Sequence, residues 1–169
     1  MFYERILREL QRQKVRYLLI GGVAVNLHGY DRITGDLDII ISMTDINIKK
    51  FIAVAKKLGL KPRIPVKIED FAITQLRREW IKEKNMRAFL VANPDNPAEH
   101  LDVVIEHPVN FSQAYRRREK IKGGDLKMPL MAIEDLIKMK AYAGRQRDLT
   151  DIEALTRIKE LKHAKKKDS

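Results

Sequence analysis

The sequence predicts an α/β fold, a small mixed β-sheet with flanking helices and a C-terminal helical part. Over the first hundred residues, short apolar runs alternate with amphipathic stretches, a pattern typical of layered α/β proteins. After residue 110 the composition turns helical and basic. A chain of 169 residues with 44% hydrophobic content supports one buried core. We therefore expect a single domain over 1–169, with an α/β half to about residue 110, a helical half over about 111–162 and a frayed basic tail at 163–169.

The first elements follow from hydrophobic periodicity. Apolar residues at helical spacing predict an amphipathic helix over residues 2–13. Tyr17–Ile20 and Leu37–Ser42 are apolar runs that predict the first two strands. Between them, Gly21-Gly22 ends the first run, and residues 23–28 form one or two helical turns.

The middle of the chain predicts two helices and a pair of strands. Asp45 is the expected N-cap of a helix that runs to Leu58 and ends at Gly59. Two prolines make residues 59–66 irregular, and Glu69 to about Lys84 is helical. Met86–Ala92 and Leu101–Ile105 are strands separated by turn-forming residues, so we expect them to be antiparallel neighbours in a mixed sheet.

The last third of the sequence predicts three helices, separated at Gly123-Gly124 and at Gly144. Their expected bounds are Phe111–Lys120, Ala132–Tyr142 and Leu149–Leu161.

Composition indicates where in the cell the protein is located and what kind of partner it binds. There is no cysteine, which excludes disulfides and thiolate metal sites. No apolar run approaches the ~20 residues of a membrane span, and the N-terminus lacks a signal-peptide core, so we expect a cytoplasmic protein with no membrane partner. The net charge of +11 favours a polyanionic partner such as a nucleotide or a nucleic acid. Solubility or surface ion pairs of a heat-adapted protein are the alternative explanation.

Two carboxylates stand at the head of the second apolar run. In a strand, side chains two residues apart project to the same side, so Asp36 and Asp38 are expected to face one way. Beside a glycine turn that opens a helix, such a pair suits a divalent cation and a phosphate group. The alternative is a half-exposed strand whose outer face happens to be acidic.

The larger pattern around these acids is more specific. Gly21-Gly22, a short helix and then Arg32-x-Thr34-x-Asp36-x-Asp38 resemble the first motif of the polymerase-β-type nucleotidyltransferases. The resemblance is to the minimal bacterial and archaeal branch that includes the AbiEii-type abortive-infection toxins. It implies that the glycines, Arg32 and Thr34 contact the nucleotide. Many members carry Gly-Ser where this chain has Gly-Gly, which removes one hydroxyl contact to phosphate.

The resemblance also implies a third carboxylate from a neighbouring strand. Asp102 is the candidate, since it interrupts an apolar run between Leu101 and Val103. The alternative is an edge-strand acid that faces water. With Asp36 and Asp38 it would hold two Mg²⁺ or Mn²⁺ ions for displacement at the α-phosphate of a nucleoside triphosphate.

A second stretch, from Glu134 to Leu155, is similar to the C-terminal signature of the same branch. By resemblance, Lys140 reaches the triphosphate, helped by Arg145 or Arg147, while Asp148 caps the last helix and orients one of these cations. On this interpretation Lys140→Met weakens nucleotide binding and leaves stability nearly unchanged. A capping residue and solvated or ion-paired arginines are the alternative.

The sequence thus predicts a metal-dependent nucleotidyltransferase that moves a nucleoside monophosphate from an NTP to an acceptor hydroxyl, for which the 3′ end of an RNA, such as a tRNA-like molecule, is our first choice. Two alternatives remain: a non-catalytic nucleotide-binding or toxin–antitoxin partner protein, and a transferase that acts on a protein hydroxyl. No P-loop, dinucleotide or zinc motif is present.

Overall fold

The computed structural model describes residues 1–169 and places seven strands in one mixed sheet, covered by seven α-helices. None of these helices is long and apolar enough to cross a lipid bilayer. The helices are α1 Phe2–Arg12, α2 Gly21–Leu27, α3 Asp45–Lys57, α4 Thr74–Lys84, α5 Phe111–Arg117, α6 Ile133–Ala143 and α7 Gln146–Lys167. The strands are β1 Tyr17–Ile20, β2 Leu37–Ile41, β3 Lys61–Pro62, β4 Ala88–Asn93, β5 Asn96–Val104, β6 Glu119–Gly123 and β7 Leu126–Leu130.

The strand order is β3-β4-β5-β2-β1-β7-β6. Strand β2 pairs antiparallel with β1 and parallel with β5, and β1 pairs parallel with β7. The predicted antiparallel pair is present as β4 and β5. The prediction of an α/β fold with a mixed sheet is therefore confirmed.

The core lies against the two central strands. All four residues of β1 and the three isoleucines of β2 are buried, because both strands have neighbours on either side and helices above them. Aromatic side chains fill the space between α3, α4 and the sheet, where Phe71 lies with its ring centroid 5.4 Å from that of Phe51 and 4.7 Å from that of Phe89.

Two helix starts differ from the prediction. The N-cap of α3 is Thr44, whose hydroxyl accepts from the backbone N–H of Asn47, and Asp45 is the first helical residue. The helix expected over Glu69–Lys84 is divided into a 3₁₀ turn, Ile68–Ala72, and α4, which begins at Thr74. The 3₁₀ turn buries Phe71 in the core, a tertiary demand that helical periodicity does not show.

The prediction of a purely helical second half is wrong. Helix α5 stops at Arg117, and β6 and β7 form an antiparallel hairpin that adds to the sheet beside β1. Gly123, Gly124 and Pro129 disfavour a helix here, and the two glycines lie at the turn of the hairpin. Exposed lysines on β6 protect this edge strand from pairing with other chains. The tail expected to fray from residue 163 is helical to Lys167.

A buried histidine connects α2 to the chain that follows β7. The ring of His28 is buried, and its Nε2–H donates to the carbonyl of Met131 over 2.7 Å. Burial lowers the pKa of His28 below its ordinary value of 6.5. Protonation would place a charge beside the core, with Glu119 the facing acid at 4.0 Å from Nδ1.

We expect His28 to make the folded protein less stable in mild acid. Since its pKa is lower in the folded chain, the unfolded chain binds more protons as the pH falls below about 6.5, and stability present above that pH is lost. Unfolding by urea between about pH 7 and about pH 5 measures this loss. His28→Gln should flatten the profile, and the same change at exposed His163 should not. An equally steep profile in His28→Gln would contradict the assignment.

Candidate active site

A cavity of about 610 Å³ opens where β1 ends and β2 begins. Its walls come from the start of α2, the loop over residues 30–36, strands β2 and β5, and the junction of α6 with α7. The lining residues that carry chemistry are Gly21, Gly22, Arg32, Thr34, Asp36, Asp38, Arg87, Asp102, Glu106, His107, Lys140, Tyr142, Arg145 and Arg147. All but one of the sequence-predicted site residues therefore lie at one cavity. The exception is Asp148, which is buried behind its wall.

Strand pairing brings the carboxylates together. Asp38 is the second residue of β2, and the parallel register sets it directly beside Asp102 of β5. Asp36 precedes β2 and lies on the loop, so the expectation that it is a strand residue is wrong, although its side chain faces the same cavity. His100 lies between two of these acids, with Nε2 at 3.3 Å from Asp36 Oδ1 and 3.6 Å from Asp102 Oδ1.

The two glycines are required for close approach. Gly21 has a φ of +69°, and a Cβ at this position would lie 2.1 Å from Asp38 Oδ2. A Cβ on Gly22 would lie 2.4 Å from Thr34 Oγ1 and 2.6 Å from an Arg32 nitrogen. Any larger residue would therefore displace the groups that line the cavity at this corner.

The electrostatics of the carboxylates favour a cation. Burial, and then the neighbouring charges of Asp102 and Asp36, raises the pKa of Asp38 to about 6. Burial also raises the pKa of Asp102, whose Oδ1 has no hydrogen-bond partner. Carboxylate oxygens are the ligands that Mg²⁺ prefers, so these acids fit a divalent cation chemically.

The acids do not form a ready-made ligand shell. No group of three or more histidine or acidic side chains is close enough together to hold a metal as it stands. The imidazole of His100 fills part of the space between Asp36 and Asp102. Asp36 is half exposed on a loop, so its carboxylate can leave His100 without unfolding a helix or strand.

Buried ion pairs support a cationic wall of the cavity, to which Arg32, Lys140 and Arg145 contribute. Lys140 Nζ lies 2.8 Å from Asp151 Oδ2 and 3.3 Å from Asp148 Oδ1, and all three side chains are buried. Each acid also holds an arginine of the cavity: Arg145 Nε is 2.8 Å from Asp148, and Arg32 Nε is 3.3 Å from Asp151. This buried charge network joins the loop before β2 to α6 and α7.

The network changes the roles expected for two residues. The N-cap of α7 is Arg145, not Asp148, which is the third helical residue and accepts from the backbone N–H of Arg145. Burial acts to raise the pKa of Asp148, but hydrogen bonds from Arg145 outweigh it and hold the pKa below its ordinary value. Lys140 is held by two carboxylates, so it has little freedom to follow a ligand.

Several residues of this site escaped the sequence analysis. His100 stands two residues before Asp102, and that spacing on a strand was the signal that could have found it. Asp151 lies in the second turn of α7, and its spacing in the sequence does not indicate a buried ion pair. Tyr3 donates its hydroxyl to the carbonyl of Gly35, and Arg87 and Glu106 reach the cavity from loops, for which a single sequence gives no signal.

Residues 3–165 match the family described as "Nucleotidyltransferase of unknown function (DUF6036)". The chain belongs to this nucleotidyltransferase family. No curated protein matches it in sequence.

Solved structures share the fold at low identity. The lincosamide antibiotic adenylyltransferase LnuA, bound to lincomycin, has 19% identity and a TM-score of 0.58, covering 93% of this chain and 96% of that one. ANT(2″)-Ia in complex with adenylyl-2″-tobramycin has 13% identity and a TM-score of 0.55, over 96% and 93% of the two chains. A nucleotidyltransferase-like protein from Paracoccidioides brasiliensis has 16% identity and a TM-score of 0.53, over 92% and 72%.

The buried charge network makes Lys140 a stability residue, contrary to the expectation from sequence. Lys140→Met removes the cation shared by Asp148 and Asp151, and breaking a buried pair in this way costs about 3 kcal/mol. Chemical denaturation measures the free energy of unfolding. Lys138→Met, on an exposed position of the same helix, is the control and should change it by less than about 0.5 kcal/mol. Equal stability of the two variants would contradict the assignment.

Proposed function

We propose that this protein transfers a nucleoside monophosphate from a nucleoside triphosphate to an acceptor hydroxyl. One observation carries the proposal: a single cavity is lined both by the carboxylates Asp36, Asp38 and Asp102 and by several arginines. A metal–triphosphate complex has the complementary distribution of charge, with cations at the α-phosphate and anionic oxygens along its length. Membership of a nucleotidyltransferase family supports it.

Asp36, Asp38 and Asp102 would hold Mg²⁺ or Mn²⁺, with two ions as our expectation. When bound, such ions neutralise charge on the phosphates and lower the pKa of an attacking hydroxyl. Asp102, with one carboxylate oxygen unpartnered, is the group we assign to accept the hydroxyl proton.

The bonds balance without a further reactant. The acceptor oxygen forms a bond to the α-phosphorus, and the bond from that phosphorus to the bridging oxygen of the β-phosphate breaks. Pyrophosphate leaves with the bonding electron pair, and Asp102 receives the proton.

The cationic wall would bind the triphosphate and the departing pyrophosphate. Arg32 and Arg145 are partly exposed to the cavity and are held in position by buried acids. We assign Lys140 an indirect part, since it is 4% exposed and fixes Asp148 and Asp151, which in turn orient the two arginines.

The acceptor is defined here only as a hydroxyl. The names of two structural neighbours describe adenylyl transfer to antibiotics, which supports a hydroxyl acceptor but says nothing specific about this chain. An RNA 3′ end stays our first prediction and a partner-protein hydroxyl the second. Membership of the AbiEii-type toxin branch and a cytoplasmic location also stay predictions.

Two basic segments, residues 77–84 and 116–122, are the surfaces that we expect to hold an RNA backbone, and some of their charges are already engaged within the fold. Arg117 forms a two-point ion pair with buried Asp135, and Arg77 is buried and donates to the carbonyl of Phe71. Arg118 stacks on the ring of Tyr115, 3.9 Å from its centroid. Exposed positive charge near the hairpin is left on Arg116, Lys120 and Lys122.

We expect transfer of the α-phosphate and its loss in Asp38→Asn. The nearly isosteric amide keeps the packing but removes a negative ligand. Each NTP, labelled at the α-phosphate, is incubated with Mg²⁺ and with RNA, candidate proteins or hydroxylated small molecules, and label on the acceptor and free pyrophosphate are measured. Asp70→Asn, a change at an acid outside the cavity, is the control. Full transfer by a folded Asp38→Asn protein would refute the assignment of the site. Labelling of the acceptor without release of pyrophosphate would refute the proposed reaction.

If RNA is the acceptor, reversing the charge of Arg116, Lys120 and Lys122 should weaken RNA binding about equally for all sequences, because phosphate contacts carry no sequence information. The logarithmic salt slope should fall by roughly 0.7 for each lost contact to a single strand. Charge reversal of three exposed lysines outside both basic segments, Lys49, Lys61 and Lys67, is the control. Absence of RNA binding at low salt, together with labelling of a protein, would reject the RNA acceptor.

A further inference from the structure

One end of the cavity has no part in the proposed chemistry. Beyond Asp102, strand β5 ends at Val104 and the chain continues as a loop to Glu106, and both residues line the cavity. Successive same-face residues on a strand are about 6.6 Å apart, so the lining extends by about that distance from Asp102 to Val104 and then further along the loop to Glu106.

Two backbone hydrogen bonds fix this wall. The carbonyl of Arg87 accepts from the N–H of Ile105 over 2.9 Å and from the N–H of Glu106 over 3.3 Å. The start of β4 and the end of β5 are thus tied together, and the side chains of Arg87 and Glu106 both reach the cavity.

An aromatic ring faces these two residues from α6. Tyr142 lies in the last turn of α6, its hydroxyl donates to Glu106 Oε1, and the Arg87 guanidinium lies 5.8 Å from its ring centroid. Tyr142 is 45% exposed and lines the cavity, so part of its side chain is accessible to a ligand there. Tyr142 is two residues from Lys140 and three from Arg145, so it adjoins the wall that takes the triphosphate.

We propose that Tyr142, Glu106 and Arg87 form the nucleobase subsite of the donor, selective for a base with an exocyclic amino group. The inference rests on the proposed function. The ring of Tyr142 supplies a stacking surface, and stacking alone accepts any base. Selectivity comes from Glu106, because an ionised carboxylate only accepts hydrogen bonds and retains free acceptor positions after binding the Tyr142 hydroxyl.

Amino protons of cytosine, adenine or guanine satisfy those positions, whereas uracil and hypoxanthine have no exocyclic amino group. Leaving a carboxylate without its partner is unfavourable, so the site rejects the bases that cannot donate.

Equilibrium binding in Mg²⁺ without an acceptor tests the subsite directly. The matched pairs are CTP against UTP and ATP against ITP, which differ mainly in an amino or oxo substituent. We expect the amino-bearing member of each pair to bind roughly tenfold tighter. Glu106→Gln should reduce each ratio to near unity, and Tyr142→Ala should weaken all four nucleotides by roughly tenfold or more. Glu134→Gln, an exposed acid at the start of α6, is the control for both variants.

Inorganic tripolyphosphate separates this inference from the function on which it rests. It carries the charge of the donor but no base, so wild type, Glu106→Gln and Tyr142→Ala should bind it equally. Equal affinity for CTP and UTP, or Tyr142→Ala with unchanged nucleotide affinity, would overturn the subsite while tripolyphosphate binding leaves the proposed function standing. Failure of wild type to bind tripolyphosphate and all four nucleotides would overturn both.

Discussion

The like charges of Asp38 and Asp102, held side by side on parallel neighbouring strands, set the constraint that the rest of the site satisfies. Burial, and then repulsion from Asp102 and Asp36, raises the pKa of Asp38 to about 6. A protein that gained only stability would place apolar residues at these central positions, as it does at Ile39 and Val103. We interpret the two acids as residues that lower the stability of the fold and are kept because they bind a cation.

The cationic wall meets the reverse requirement. Arginines that are to attract phosphate must not collapse onto the carboxylates of the same cavity. Asp148 and Asp151 pair with Arg145 and Arg32 from behind, and Lys140 keeps the two acids from repelling one another. Since Arg32 lies on a loop without regular structure, its position depends on Asp151 and on the side chain of Asn26, which bonds both to its backbone N–H and to its carbonyl.

The sequence was informative where one local rule governs the structure. The apolar runs around Leu18 and Ile40, the glycine turn between them and the acids at the head of β2 were all readable from spacing. Prediction from the sequence failed where contacts between distant segments decide the local structure or the role of a residue. The β6–β7 hairpin lies in a basic stretch that was expected to be helical. Lys140 was expected to reach the triphosphate, but α7 packs over it and two buried acids hold it. Glu106 and Tyr142 meet only because the end of β5 and α6 flank one cavity.

The central claim is that Asp38 and Asp102 bind a divalent cation together with a nucleotide, and binding of Mn²⁺ followed by electron paramagnetic resonance tests it most directly. The account predicts weak Mn²⁺ binding by the protein alone and tighter binding when an NTP is added. Asp38→Asn and Asp102→Asn should each abolish the tighter binding while the metal-free protein melts at the same or a higher temperature, because a buried repulsion has been removed. Mn²⁺ binding that is unchanged in both folded variants would contradict the account.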